Sequence, residues 1–286
     1  MRLIQLYLVL LLFARCNLNI PQSVVVEFFA PLKIPIMVEK PLATSYQDAK
    51  KIEALSLKYG TPVLTNYETS WYEATYEAKQ MMDNNRIGKL TKMVFNTGHP
   101  GPQEIGCSPE FLEWLTDPVQ NGGSALTDFG CYGANIATWF LNGQTPLRIS
   151  NVAKQTKPNR YPNVDDDTTI ILDYPDQQVI IQASWNWSDN RKDMQVYCAH
   201  GYIDAKNGNE MSVLEDESKG PYNHKPPAIQ SNQKDPFRLF YEVTKNKKQL
   251  SPFSLYSLEN NVIVSKILSL AKKAAETNQT LSWSSL

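Results

Sequence analysis

The sequence predicts an α/β protein in two parts: a small parallel sheet that alternates with helices, followed by an α+β part with an open, mostly antiparallel sheet. Two observations predict the order of the parts. Short apolar runs alternate with helical patterns up to Gly88, and strand-like segments follow one another after it with few helices between them. The third observation is size, because 286 residues with 42% apolar side chains can build two cores.

The first part alternates between helix and strand with short connections, which predicts parallel strands joined by right-handed crossovers. Its middle helix has Ser45 as a cap with Asp48 three residues later, and Gly60 as its stop. The predicted elements are a helix over 22–32, a strand over 34–38, a helix over 45–60, a strand over 62–65 and a helix over 72–85.

The second part begins near Gly88, so we expect domains over 1–87 and 88–286. Consecutive strands without intervening helices predict antiparallel pairing. The polar, proline-bearing segment 206–233 predicts a surface loop. The other predicted elements are strands over 90–96, 147–155, 168–174, 178–187, 193–199 and 201–205, and helices over 109–115, 124–141, 235–247 and 256–276.

Composition excludes several classes of function. The chain has 28 basic and 29 acidic side chains, so no global positive field draws it onto nucleic acid or anionic lipid. Its four cysteines include no CxxC pair and it has three histidines, which indicates neither a disulfide framework nor a zinc site. The run Asp165-Asp166-Asp167 has no further ligands at fixed spacing, so we expect a solvated strand entrance and no metal.

The amino terminus carries one arginine ahead of a mostly apolar run within residues 1–15. That pattern is typical of a secretory signal, but no small-x-small cleavage site follows it. The run is too short to span a bilayer. The alternatives are a buried strand or helix and a misplaced start codon. If the segment is not a secretory signal, we expect a cytoplasmic protein.

Glu39-Lys40-Pro41 directly follows the predicted strand 34–38. Ligands of open parallel sheets bind beyond the carboxyl ends of the strands, so a lysine at this place points toward a site. Its ammonium can donate hydrogen bonds to a hydroxyl or carbonyl oxygen and stabilise charge that develops there. The alternative is a solvated surface lysine.

A second motif begins at Gly122-Gly123 and carries Asp128 and Tyr132. Residues four apart share one face of a helix, and a carboxylate with a phenol on an apolar helix needs a partner or a ligand. A structural hydrogen bond between the two is the alternative. By contrast, we expect Trp185 and Trp187 to alternate on a strand and to pack against a helix or a partner sheet.

With the Arg86-Ile87-Gly88-Lys89-Leu90 junction between them, these two motifs resemble those of the glucose-fructose oxidoreductase/inositol dehydrogenase/MocA (GFO/IDH/MocA) family over about residues 35–281. The resemblance implies a Rossmann-like nucleotide-binding domain, truncated here, over 1–87. It implies a substrate and oligomerisation domain over 88–286. It also implies NAD or NADP as cofactor and a sugar, polyol or cyclic alcohol as substrate. The strands between 168 and 199 carry apolar residues on more than one face, so we expect self-association through this open sheet.

The resemblance assigns roles residue by residue. Lys40, Asp128 and Tyr132 fall on the family's catalytic positions, and Tyr132 stands where most relatives have histidine. Glu39-Lys40-Pro41 would contact the cofactor. His99, in a loop after a strand, and Asn135, where relatives often have aspartate, would contact the substrate. We expect the Lys40 ammonium to favour the phenolate of Tyr132, because a phenol of ordinary pKa near 10 is a poor base.

The printed sequence has no GxGxxG motif, and only about forty residues precede Lys40. Two explanations stay open: a fragment or mis-started gene product, or a protein that binds a dinucleotide weakly. We therefore expect an NAD(P)-dependent oxidoreductase with compromised cofactor binding. The alternatives are a non-catalytic binding or oligomerisation module and an NAD-dependent glycosidase of the same family.

Overall fold

The computed structural model describes residues 21–118, 121–229 and 235–286. Over these residues the chain forms a two-stranded parallel sheet and a nine-stranded, mostly antiparallel sheet with helices packed against them, which confirms the predicted fold class. The signal-like segment lies outside the described residues. Within those three ranges, no helix is both long and apolar enough to cross a membrane.

The first part follows the predicted order of elements. Ser45 Oγ accepts a hydrogen bond from Asp48 N at 3.1 Å, and Gly60 ends the helix in the left-handed conformation with φ 64°. The two strands pair in parallel, with Ile36 opposite Val63. The elements are α1 (Gln22–Phe29), β1 (Ile36–Glu39), α2 (Tyr46–Tyr59), β2 (Val63–Asn66) and α3 (Glu73–Asp83).

The second part contains the large sheet, in the strand order β10-β9-β8-β7-β3-β6-β5-β4-β11. Strand β3 pairs in parallel with β6 and antiparallel with β7, so it lies inside the sheet. The elements are β3 (Leu90–Gly98), α4 (Pro109–Leu115), α5 (Cys131–Phe140), β4 (Arg148–Lys154), β5 (Asp167–Asp173), β6 (Gln178–Ser184), β7 (Arg191–Cys198), β8 (Gly201–Ala205), β9 (Met211–Leu214), β10 (Tyr222–His224), α6 (Pro236–Thr244), α7 (Leu258–Thr277) and β11 (Leu281–Ser282).

Three predictions are corrected by the structure. The loop expected over 206–233 contains β9 and β10, whose four and three residues are too few for an alternating pattern to stand out in the sequence. The helix expected over 124–141 begins with a π-helical turn, Leu126–Gly130, before α5. Asp166 is fully buried rather than solvated, because its carboxylate accepts hydrogen bonds from backbone and side-chain donors of the neighbouring loops.

Helices α5 and α7 cover one face of the large sheet. Gly133 lets α5 approach closely, because a Cβ at this position would lie 2.9 Å from Ile181 and 3.0 Å from Phe95. Helix α7 also reaches the first part of the chain, where its Val262 packs in the core formed by α1, α2 and β1. Helix α7 therefore packs against both parts of the chain.

The opposite face of the large sheet carries a row of apolar side chains. Ile180 pairs in register with Val94 on one side and with Ile171 on the other, and all three are partly exposed. Val152 on β4 is 62% exposed. Apolar rows of this kind on a sheet are commonly covered by another molecule.

We predict that this row mediates self-association, so the protein should sediment as a dimer or larger species at tens of micromolar. Ile180→Lys places a charge in the centre of the row and should shift the protein to monomer. Leu57→Lys, which removes an exposed apolar side chain from α2, should leave the assembly unchanged. A strictly monomeric wild-type protein would show the prediction to be wrong.

Candidate active site

Lys40 lies one residue beyond β1, at the carboxyl edge of the parallel pair. Its backbone N–H donates to Asn66 O at 3.1 Å, which fixes the turn, and the Lys40-Pro41 peptide bond is cis. The Lys40 ammonium forms an ion pair with Asp128 Oδ1 and also donates to the Asp128 carbonyl oxygen at 2.7 Å. The lysine is therefore directed at the second part of the chain and not at bulk solvent.

Asp128 stands in the π-helical turn that precedes α5. Its Oδ2 accepts a hydrogen bond from Trp185 Nε1 at 3.1 Å, while Oδ1 faces Lys40. The ring of Tyr132 in the first turn of α5 lies 5.1 Å from the Lys40 ammonium. Asp128 and Tyr132 thus meet at one lysine, as their spacing predicts, although a π-helical turn rather than a regular α-helix connects them.

Aromatic rings surround the phenol. Phe129 stacks on Tyr132 with centroids 5.9 Å apart, and Tyr67 packs edge-on at 5.6 Å. His99 contacts the other end of this group, 4.9 Å from the Phe129 ring. Tyr132 is 5% exposed, so it is largely shielded from solvent.

Lys40 and Asp128 each stabilise the charged form of the other. Burial acts to lower the pKa of Lys40, but Asp128 outweighs it, and the pKa lies well above its ordinary value. Burial acts to raise the pKa of Asp128, but Lys40 and the hydrogen bonds from Lys40 and Trp185 outweigh it, and the pKa is lowered. Both groups are ionised at neutral pH.

The expectation that Lys40 favours the phenolate of Tyr132 is corrected by the structure. Burial raises the pKa of Tyr132 well above 10, and Lys40 acts in the opposite direction without outweighing burial. The reason is that the Lys40 charge is already neutralised by Asp128. Lys40 therefore limits the rise in the pKa of Tyr132 but does not ionise the phenol. Tyr132 keeps its proton at neutral pH.

The structure brings His99 to the site and leaves Asn135 out of it. His99 Nδ1 accepts a hydrogen bond from Gly101 N at 2.9 Å, and burial lowers the pKa of the ring. Asn135 is fully buried in α5 and donates to Leu255 O at 2.9 Å, so it joins α5 to the chain before α7. Its predicted contact with substrate has no support from this position.

Glu39 lies at the rim of the site. Its side chain accepts a hydrogen bond from Asn66 Nδ2 at 2.7 Å, which links the carboxyl ends of β1 and β2. Pro41 is buried behind it. Within the described ranges, no cluster of three or more His, Cys, Asp or Glu side chains could hold a metal ion.

Three residues at the site were not predicted from sequence. Trp185 follows β6, which ends at Ser184, so its indole donates to Asp128 instead of alternating along a strand. Lys192 lies 5.9 Å from the Tyr132 ring centroid and forms an ion pair with Glu68 at 3.0 Å. No local pattern marks Lys192 or Glu68, because strand register and the turn after β2 bring them together.

Comparison with known proteins identifies the second part of the chain. Residues 75–204 match the GFO/IDH/MocA C-terminal domain. This part of the chain is therefore similar to the C-terminal domain of the GFO/IDH/MocA family. The match includes the segment from Gly122-Gly123 and confirms the resemblance to this family.

Curated relatives are distant and longer. Trans-1,2-dihydrobenzene-1,2-diol dehydrogenase of Xenopus laevis is 24% identical over 151 residues, and the D-xylose 1-dehydrogenase [NADP(+)] of Haloarcula marismortui is 23% identical over 150 residues. Each match covers 52% of this chain and 41% of the relative. The matched region therefore spans about two fifths of those proteins.

Solved structures share the fold over most of the chain. The aldose-aldose oxidoreductase of Caulobacter crescentus, complexed with glycerol, has a TM-score of 0.74 at 19% identity. The match covers 91% of this chain and 76% of that protein. An inositol dehydrogenase homologue of Azotobacter vinelandii, complexed with NAD+, has a TM-score of 0.77 at 13% identity. The match covers 91% of this chain and 75% of the homologue.

A group of charged side chains anchors the loop that carries His99. Glu104 accepts hydrogen bonds from Tyr161 and Arg160 and forms an ion pair with Lys157 at 2.9 Å. Lys157 also donates to Trp185 O at 2.8 Å. The anchor therefore ties the loop to the backbone of Trp185, whose indole donates to Asp128.

The anchor predicts a pH-dependent stability. Burial acts to raise the pKa of Glu104, but the hydrogen bonds from Tyr161, Lys157 and Arg160 outweigh it and lower the pKa from 4.5 to about 2. A carboxyl whose pKa is lowered on folding stabilises the protein above its unfolded pKa, and that stabilisation is lost as pH falls through the folded pKa.

We therefore expect Glu104→Gln to lower the thermal midpoint at pH 7, with a gap to wild type that closes as pH falls from 4.5 towards 2. Thermal unfolding at a series of pH values measures the gap. Glu113→Gln, an exposed position on α4, should show no such gap. A gap for Glu104→Gln that stays constant with pH would contradict the electrostatic account.

Proposed function

We propose that Lys40, Asp128 and Tyr132 form the proton-transfer site of an NAD(P)-dependent oxidoreductase that interconverts an alcohol and a carbonyl on a sugar, polyol or related cyclic alcohol. One observation supports this most directly. The Lys40 ammonium lies between the Asp128 carboxylate and the Tyr132 ring, at the carboxyl edge of the parallel strands. That edge is where open α/β sheets bind their ligands.

In the direction of reduction, Tyr132 acts as the acid. Its raised pKa keeps the hydroxyl protonated at neutral pH, so the proton is available for a substrate oxygen that gains negative charge. Lys40 has three N–H donors, and two of them bond Asp128. The third can donate to the same substrate oxygen and stabilise its charge.

In the direction of oxidation, the same groups work in reverse. The substrate hydroxyl gives up its proton toward the phenol oxygen of Tyr132, which the Lys40 ammonium stabilises when it is ionised. Asp128 does not exchange a proton in either direction. Its part is to hold Lys40 in place, with Trp185 fixing the second carboxylate oxygen.

The residues at this edge fit the nicotinamide end of NAD or NADP. Three buried polar atoms at the carboxyl end of β2 have no hydrogen-bond partner among the described residues: Thr65 Oγ1, Asn66 Oδ1 and Tyr67 OH. Such atoms are rare unless a ligand or water satisfies them. Glu39, Lys40 and Pro41 would hold the group from the β1 side, and when bound it would supply the acceptor or donor of hydride.

The relatives support the class of substrate. Their names specify a dihydrobenzene diol and D-xylose, and the structural neighbours include an aldose-aldose oxidoreductase and an inositol dehydrogenase homologue. The compounds that these names specify carry several hydroxyl groups. An apolar wall of Phe129 and Tyr132 beside Lys40 suits the carbon face and the oxygen edge of such a compound.

We predict that Tyr132→Phe lowers turnover about a hundredfold or more, the usual contribution of a positioned acid or base. The phenylalanine ring keeps the packing against Phe129 and Tyr67, so the thermal midpoint should stay close to that of the wild type. Turnover is measured with a panel of aldoses and polyols at millimolar NAD(H) and NADP(H).

Tyr174→Phe is the matched control. Tyr174 is also buried and its hydroxyl has no partner among the described residues, but it lies in the turn between β5 and β6, away from the site. This variant should keep normal turnover. Near-normal turnover of Tyr132→Phe removes the phenol from the mechanism, and no turnover of the wild type on any member of the panel overturns the proposed function.

A further inference from the structure

A second ion pair lies beside Tyr132, in addition to the pair of Lys40 and Asp128. Lys192 on β7 is the register partner of Thr97 on β3, whose Oγ1 donates to Phe129 O at 3.0 Å. The strand pairing therefore places Lys192 beside the π-helical turn. Its ammonium lies 5.9 Å from the ring centroids of both Phe129 and Tyr132.

The ion-pair partner of Lys192 follows a strand of the small parallel sheet. Glu68 lies in the short 3₁₀ turn Glu68–Trp71 after β2, and its Oε2 is 3.0 Å from Lys192 Nζ. Its Oε1 accepts a hydrogen bond from Tyr72 OH at 2.7 Å. The carboxylate is thus held at both oxygens, and its direction is fixed.

The two members of this pair differ in exposure. The Lys192 side chain is 11% exposed and the Glu68 side chain is 52% exposed. A desolvated ammonium with an accessible carboxylate contributes little to stability by itself, because desolvation offsets the attraction. It does present a donor and an acceptor side by side at the edge of an aromatic surface.

Around the phenol, the charges balance. Lys40 and Lys192 contribute two positive charges, and Asp128 and Glu68 contribute two negative charges. His99 adds none at neutral pH, since burial and the two lysines lower its pKa. A ligand that carries its own carboxylate or phosphate would find no excess positive charge here.

We propose that Glu68 and Lys192 bind a second hydroxyl of the substrate, next to the reacting carbon, and that they select neutral polyhydroxy compounds over sugar acids and sugar phosphates. A hydroxyl both donates and accepts, so it can donate to Glu68 and accept from Lys192 at once. The inference rests on the proposed function for the identity of the reacting carbon. Glu68 and Lys192 are specificity residues and do not exchange the proton.

Ligand binding tests this without turnover. Sorbitol and D-gluconate have the same carbon chain and differ in one carboxylate, so they form a matched pair of probes. Binding to the full chain is followed by tryptophan fluorescence, for which Trp185 beside Asp128 is a local reporter. We expect wild-type protein to bind sorbitol at least about tenfold more tightly than D-gluconate.

The variants separate the two members of the pair. Lys192→Met should weaken sorbitol binding by about tenfold or more, as expected for the loss of a hydrogen bond to a charged group. Glu68→Gln should also weaken sorbitol binding, and it should strengthen D-gluconate binding because it leaves the Lys192 charge unbalanced. Lys89→Met, which breaks an exposed ion pair with Asp176, should change neither.

Thermal midpoints confirm that each variant is folded, and Lys192→Gln replaces Lys192→Met if that variant is not. Unchanged sorbitol binding in Lys192→Met, equal affinity of wild type for the two probes, or no saturable sorbitol binding overturns the inference. Turnover is measured in parallel on the same proteins. Selective binding without turnover supports the inference and counts against the proposed function, whereas turnover with unselective binding does the reverse.

Discussion

The ion pair between Lys40 and Asp128 is the contact on which the site depends. Lys40 belongs to the turn after β1 and Asp128 to the turn before α5, 88 residues later in the chain. Each charge is costly to bury alone, and each makes the other acceptable. With the pair in place, the ring of Tyr132 lies beside an ammonium, and the indole of Trp185 has a carboxylate oxygen to bond.

That pairing also explains why the phenol keeps its proton. A free ammonium at 5 Å would lower the pKa of a phenol, but one already matched by a carboxylate has little net field, and burial then prevails. A site of this kind holds its acid protonated until substrate arrives. The neighbouring pair of Lys192 and Glu68 repeats the arrangement, so the space around the ring is polar without being charged overall.

How much of the site could be predicted from sequence depends on how far apart in the chain the interacting residues lie. The Ser45 cap, the Gly60 stop and the shared face of Asp128 and Tyr132 are local patterns, and the structure has them. Lys192 and Trp185 are at the site because of strand register and strand length, which no short pattern encodes. Asp166 was expected in solvent because three adjacent aspartates are usually hydrated, but donors from Thr156, Lys157 and Asn186 converge on it. Asn135 was predicted from a family position, and its amide instead joins α5 to the loop before α7.

The most direct test of the ion pair is a double-mutant cycle read out by chemical unfolding. Lys40→Met and Asp128→Asn each leave a buried partner without its counter-charge, and each should cost about 3 kcal/mol of the free energy of unfolding. The double variant leaves no unpaired charge, so the account predicts that it is more stable than either single variant. Additive losses, with the double variant the least stable of the three, would contradict it.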